Sequence, residues 1–234
     1  MPLNKIKILS TRPIADTLIE AACQKGIIIE ILSFIDTETI ETVEVQQEIE
    51  QALLQSATIV FTSMNAVEAV AAQLEDHHPD WAIYTMGNTS EQLVKKYFGD
   101  QAIAGTATNA SELAELIAED GYAKEVIFFC GDQRRDELPD ILRKNEMEVY
   151  EIEVYKTVAT PHKLTKQFDG ILFFSPSSVQ SFFSVNKLSS KTILFAIGNT
   201  TANTIKKYAE NKIIISDAPG KENLVQEMIE LFGS

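Results

Sequence analysis

The chain says one phrase twice. Residues 87–97 read GNTSEQLVKKY and residues 198–208 read GNTTANTIKKY, at an offset of 111, with six of eleven positions identical. TIVFTSMNAVEAV (58–70) answers GILFFSPSSVQSF (170–182) at an offset of 112, pairing Ser63 with Ser175 and Val67 with Val179. SELAELIAE (111–119) answers ENLVQEMIE (222–230), again at 111. Solenoid units repeat every ~20–50 residues, so this period marks a duplicated domain. Paired domains of this kind grip a ligand between them, which directs attention to an inter-domain cleft.

Apolar, β-rich runs alternate with stretches of helical apolar spacing from end to end. The strand signals fall at 5–9, 27–34, 58–63, 82–87, 102–105, 125–131, 148–157, 170–176, 192–198 and 212–217. Helical periodicity fills 13–25, 45–55, 65–75, 88–98, 111–119, 134–144, 177–184, 199–209 and 222–232. This alternation predicts an α/β fold of parallel sheets flanked by helices. The second copy lacks a final strand–helix–strand, and residues 5–36 offer one. The expectation is therefore a discontinuous domain (1–36 plus 158–234) with a continuous one (38–156) inserted. The two crossings, near 30–38 and 150–158, are poor in Gly and Ser, so they read as a two-stranded antiparallel linker of ordered strands.

A net charge of −14 argues against nucleic acid, whose phosphates need a basic face. No apolar run reaches the ~18 residues of a membrane span, and MPLNKIKILSTRP lacks the pattern of a signal peptide. Cys23 and Cys130 have no metal-binding spacing and read as core residues of a reduced, cytoplasmic protein. The run Asp76-His77-His78-Pro79-Asp80 reads as a solvated loop, and Trp81 after it as packing. Neither GxGxxG nor GxxxxGK[ST] is present. The expected partner is a small molecule, with no cofactor, no metal and no membrane, bound by a monomer.

Ligands of open parallel sheets bind beyond the carboxyl ends of the strands. The repeated polar residues stand there: Thr62, Ser63 and Asn65; Gly87, Thr89 and Ser90; Ser175, Ser177 and Ser178; Gly198, Thr200 and Thr201. Singly, each is a helix cap or a turn glycine. As a set repeated in both copies, they offer hydroxyls and helix N-terminal N–H groups to an anion. Of the four arginines, Arg12 and Arg134 stand at equivalent strand-to-helix turns, suited to a carboxylate ligand or to solvated helix starts. Asp132, beside Arg134 in GDQRRDELP, fits a helix cap. Tyr155 ends the second crossing strand, where its phenol either packs at the hinge or donates a proton.

In order, STRP, FTSMNAV, GNTS, GDQRRDELPDIL, EVYKT, FFSPSSV and IGNTTA resemble the uroporphyrinogen-III synthase family over essentially the whole chain. That resemblance implies two α/β domains joined by a two-stranded ladder. It also implies a cofactor-free reaction of heme biosynthesis: hydroxymethylbilane closes to uroporphyrinogen III, losing water and inverting ring D through a spiro intermediate. The family's residues carry over as Ser63, Ser90, Thr201 and Tyr155. Ser90 stands where Thr is common, and Asn145-Glu146 where a Gly often precedes the last strand. The rival expectation is a two-lobed small-ligand binding module without catalysis, which shares the architecture.

Overall fold

The computed structural model describes residues 5–74, 77–121, 123–218 and 220–233. Its elements run β1 (Ile6–Ser10), α1 (Asp16–Gln24), β2 (Ile27–Ile31), β3 (Ile35–Thr39), α2 (Val43–Leu53), β4 (Ala57–Phe61), α3 (Met64–Ala71), β5 (Trp81–Met86) and α4 (Thr89–Phe98). Then follow β6 (Ile103–Ala107), α5 (Ala110–Asp120), β7 (Glu125–Gly131), α6 (Glu137–Lys144) and β8 (Glu148–Ala159). The chain closes with β9 (Gly170–Phe173), α7 (Pro176–Val185), β10 (Ile193–Ala196), α8 (Asn199–Ile205), β11 (Ile213–Ile215) and α9 (Lys221–Phe232). Contacts divide it into a split unit, residues 1–36 with 158–234, and a continuous unit, residues 37–157. Among the described residues no helix is long and apolar enough to cross a membrane.

Each unit has its own sheet. The split unit's sheet runs β11-β10-β9-β1-β2 and the continuous unit's β3-β8-β7-β4-β5-β6. Replacing each strand by its partner in the repeat turns the first order into β6-β5-β4-β7-β8. The sheets therefore share one topology, with β3 added outside β8. β1 pairs in parallel with β2 and β9, and β4 with β5 and β7. The chain passes between the units through β3 and β8, which neighbour each other. Ile40 N–H donates to Val154 and Thr160 N–H to Phe34, so numbers rise on one strand as they fall on the other. That order is antiparallel. The sequence reads 27–34 as one strand, but the structure breaks it at 32–34, where Phe34 turns fully into the split unit's core.

Parallel strands covered on both faces must bury alternate residues in two different layers. In the continuous unit Ile59, Phe61, Ile83 and Phe129 pack on one side with α2, α3 and α4. Val60, Tyr84, Phe128 and Cys130 pack on the other with α5 and α6. The split unit repeats this: Ile8, Leu172 and Phe195 face α1 and α9, while Leu9, Ile171, Phe173 and Leu194 face α7 and α8. Trp81 is core, its indole N–H donating to Ala52 O at 2.9 Å. Cys130 is buried, whereas Cys23 is exposed, correcting the sequence expectation. The apolar stripe of the first helix runs through Leu18, Ile19 and Ala22, which leaves Cys23 pointing away from the sheet.

The end of α6 shows what Asn145-Glu146 costs. Met147 N–H returns to Leu142 O (3.2 Å) and Glu146 N–H to Arg143 O (3.1 Å), the two bonds of a Schellman motif. Met147 and Leu142 share a core cluster, its usual hydrophobic contact. That motif needs a left-handed residue after the cap, and Glu146 adopts φ 61°. For an L-residue with a Cβ this conformation costs about 1 kcal/mol. Glu146→Gly is expected to raise stability by about 0.5–1 kcal/mol, read as a shift in the urea midpoint with unchanged slope.

Candidate functional site

In the continuous unit, β4, β5 and β7 are parallel neighbours, so Thr62-Ser63, Gly87-Asn88 and Gly131-Asp132 emerge along one edge. Ser63 caps α3, its Oγ accepting from Asn65 N–H at 3.2 Å. The same Oγ accepts the phenol of Tyr155 at 3.0 Å. Residues 92 positions apart thus meet at the end of the sheet, tying the phenol to the first turn of α3.

A β-bulge brings Tyr155 there. Strand β8 follows β7 in even register to Cys130 opposite Glu153, and then Gly131 stands opposite Tyr155. One residue, Val154, is extra. A bulge places two successive side chains on the same side and re-aims the chain. Val154 and Tyr155 accordingly both pack against the layer that includes α3, together with Ile152. Regular alternation would have sent Tyr155 to the opposite face. Asp132 closes the bulge on both sides: its N–H donates to Tyr155 O (3.1 Å) and its carboxylate accepts from Thr157 N–H (2.8 Å). Asp132 therefore braces the strand rather than capping α6.

Arg134 is engaged within its own unit. Its guanidinium pairs with Asp136 at 2.5 Å and with Glu151, which also binds Arg143 at 2.7 Å. Partial burial opposes the charge, but the bonds to Asp136 and Glu151 hold its pKa above the ordinary value. A substrate carboxylate would have to compete with these partners. Burial pushes the Cys130 thiol up to about 12, so it stays protonated and is no nucleophile.

The split unit presents its own set. Ser175 caps α7, accepting from Ser178 N–H at 3.2 Å, with Ser177 Oγ at 3.0 Å. Thr11 is buried, its N–H and hydroxyl both bound to Leu172 O, and Ser10 Oγ donates to Arg12 O at 2.6 Å. The turn is pinned while the Arg12 side chain stays exposed. In the repeated GNT phrase, Ser90 and Thr201 are buried, at 8% and 2% exposure, whereas Thr89 and Thr200 are exposed. Neither α4 nor α8 has a side-chain cap, so these hydroxyls are not spent on one. Asn88 holds φ 67° with ψ −121°, a backbone conformation uncommon for any residue with a Cβ.

The sequence did not single out Gly131 or Glu151. A turn Gly and a strand Glu are too common to stand out, although Glu151 faces two of only four arginines. No group of three or more metal-ligating side chains occurs among the described residues, and His78 is exposed; Asp76 lies outside them. A depression of about 1250 Å³ in the continuous unit lies against Ala57, Trp81, Gln101, Lys124 and Val149. Those residues are at the amino ends of the strands. Size alone would favour it, but Ser63, Tyr155 and the repeated phrases stand at the other end, where open parallel sheets bind ligands.

The family model for uroporphyrinogen-III synthase HemD matches residues 16–226. Uroporphyrinogen-III synthase of Schizosaccharomyces pombe is 26% identical over 159 residues, which take in 63% of this chain and 61% of that protein. The match thus spans about three fifths of that relative's length. The crystal structure of uroporphyrinogen-III synthetase from Helicobacter pylori superposes with a TM-score of 0.66 at 16% identity, covering 97% of this chain and 99% of that one. A mutant uroporphyrinogen III synthase from Thermus thermophilus does so at 0.59 and 12% identity, covering 97% and 98%. At such identities the likeness speaks for the fold: two α/β domains of the kind described above. The family model covers most of the chain, and the chain belongs to the uroporphyrinogen-III synthase family.

Proposed function

We propose that this protein cyclises hydroxymethylbilane to uroporphyrinogen III, with loss of water and inversion of ring D, in heme biosynthesis. The observation that carries this reading is the Tyr155 phenol, bonded to Ser63 at the carboxyl edge of a sheet whose loops recur in the other unit. The reaction has one step that asks for an acid. The C–O bond of the hydroxymethyl group breaks, and the departing oxygen takes a proton to leave as water. Tyr155 supplies that proton: its phenol, held at Ser63 Oγ by the hydrogen bond it donates there, turns the same hydrogen to the departing oxygen. General acid help of this kind is worth about 10²–10⁴-fold.

The substrate also closes unaided, without inversion, so the larger task is to select one geometry. Holding a flexible chain in a near-attack arrangement supplies about 7–11 kcal/mol of an intramolecular barrier. Each unit offers receivers for the substrate's carboxylates: the exposed Thr89 and the Thr62 N–H in the continuous unit, and Arg12, Thr200, the Ser175–Ser177 pair and the Gly198 N–H in the split unit. The N–H groups of Asn65 and Gly87 are already bound to Ser63 Oγ and Ala107 O. Among the described residues, its two chain neighbours aside, nothing lies within 4 Å of where a Cβ at Gly198 would stand. This glycine is not demanded by its own fold, which fits a backbone kept bare for a ligand's approach. Ser90 and Thr201 act from beneath, shaping the turns. Chromatography of the products formed from hydroxymethylbilane tests the reading: catalysis yields the type III isomer, whereas a binding module leaves the type I isomer of spontaneous closure.

A further inference from the structure

We infer that Gly131 is the seat of the Tyr155 phenol, and that Gly131 and Asp132 together are positioning residues for the proton donor; this rests on the role of Tyr155 proposed above. A Cβ at Gly131 would meet Tyr155 Cζ, Cε2 and hydroxyl oxygen well inside van der Waals contact, and these are its three nearest atoms. The hydroxyl end of the phenol ring therefore occupies the space beside the Gly131 backbone that a Cβ would fill, room that no other residue leaves. The φ of Gly131 is not in the left-handed region, so glycine is needed here for space and not for backbone freedom. Three devices converge on one hydroxyl. The Val154 bulge turns Tyr155 toward α3, the missing side chain lets the ring come down, and Ser63 Oγ receives the proton end at 3.0 Å. Asp132 holds the bulge from both sides of Tyr155, through its own N–H and through Thr157.

A methyl group at position 131 does not break the sheet. The ring is the free end of a side chain, and it swings off its seat, carrying the phenol away from Ser63. The fold survives and the donor is lost. Two readouts keep the seat and the chemistry apart. Nitration of Tyr155 by tetranitromethane, read by peptide mass spectrometry, follows the ring without reference to activity. Steady-state kinetics of type III formation follow the donor.

Gly131→Ala is expected to raise Tyr155 nitration severalfold and to lower kcat at least about tenfold, with KM within a factor of about three. In a Tyr155→Phe background the same substitution is expected to cost less than about threefold more, because the group it misplaces is already gone. Asp132→Ala is expected to lower kcat in the same manner. Asp132→Asn, which keeps an acceptor for Thr157 N–H, recovers most of that loss. Unchanged nitration in Gly131→Ala overturns the seat. An equal loss of kcat in both backgrounds overturns the positioning role, since glycine would then act independently of the phenol. Raised nitration with full activity in both Gly131→Ala and Tyr155→Phe overturns the chemistry assigned to Tyr155 and leaves the seat standing as packing alone.

Discussion

Tyr155→Phe is expected to lower kcat by about 10²-fold or more, while the product that still forms remains mainly the type III isomer. A hundredfold corresponds to about 2.7 kcal/mol of transition-state stabilisation, the low end of what a general acid supplies. The substitution removes one oxygen and keeps the ring on Gly131 and against Val154, so geometry selection is untouched. Stability changes little, because among the described residues the phenol makes one hydrogen bond, to Ser63. Such a bond contributes about 0.5–1.5 kcal/mol, and each kcal/mol moves Tm by about 2–4 °C at this size. Rates and isomers measured by chromatography, with a thermal scan beside them, separate these terms. Full activity in the Phe variant would assign the proton to water or to the substrate's own acid groups.

The two arginines of the loop edges are expected to behave in opposite ways. Arg12 is exposed on a turn pinned by Thr11 and Ser10. Arg12→Ala should leave Tm unchanged and raise KM about tenfold or more, since a charge-assisted bond to a carboxylate is worth about 1.5–3 kcal/mol. Arg134 resembles it in sequence position but not in surroundings. Its side chain is 25% exposed and Glu151 only 14%, and the two share a network with Asp136 and Arg143. Arg134→Ala leaves a largely covered carboxylate with one cation instead of two. We propose that its loss falls mainly on stability, about 1–3 kcal/mol, with KM changed less than for Arg12→Ala. A larger KM effect for Arg134→Ala than for Arg12→Ala would return Arg134 to the substrate.

Much of this was readable in the chain because the repeat and the strand–helix alternation are carried by apolar residues. Phe61 and Phe173, or Val67 and Val179, cannot move from the core without leaving a cavity. Caps were legible where the side chain does the work: Ser63 and Ser175 each cap the helix that their position suggests. They misled where the backbone does it. No side chain caps the turns at Thr89–Ser90 and Thr200–Thr201. The Tyr155 site shows the limit most plainly. The hydroxyl of Ser63 and the phenol were both visible as residues. Their meeting depends on a one-residue bulge between Ile152 and Tyr155 and on an absent side chain at 131, neither of which leaves a periodic signal. The surroundings of Arg134 were not legible for a related reason: its partner Glu151 lies on the strand after α6, and only the β7–β8 pairing brings the two together.

The most direct test of the account is the isomer composition formed from hydroxymethylbilane as the amount of protein is raised, with and without a chelator. Spontaneous closure gives type I at a rate independent of the protein. The expected result is a type III fraction that rises in proportion to added protein until it dominates, with the same slope when chelator is present and no cofactor supplied. A product that stays type I, at the spontaneous rate, across the whole range of protein concentrations would contradict it.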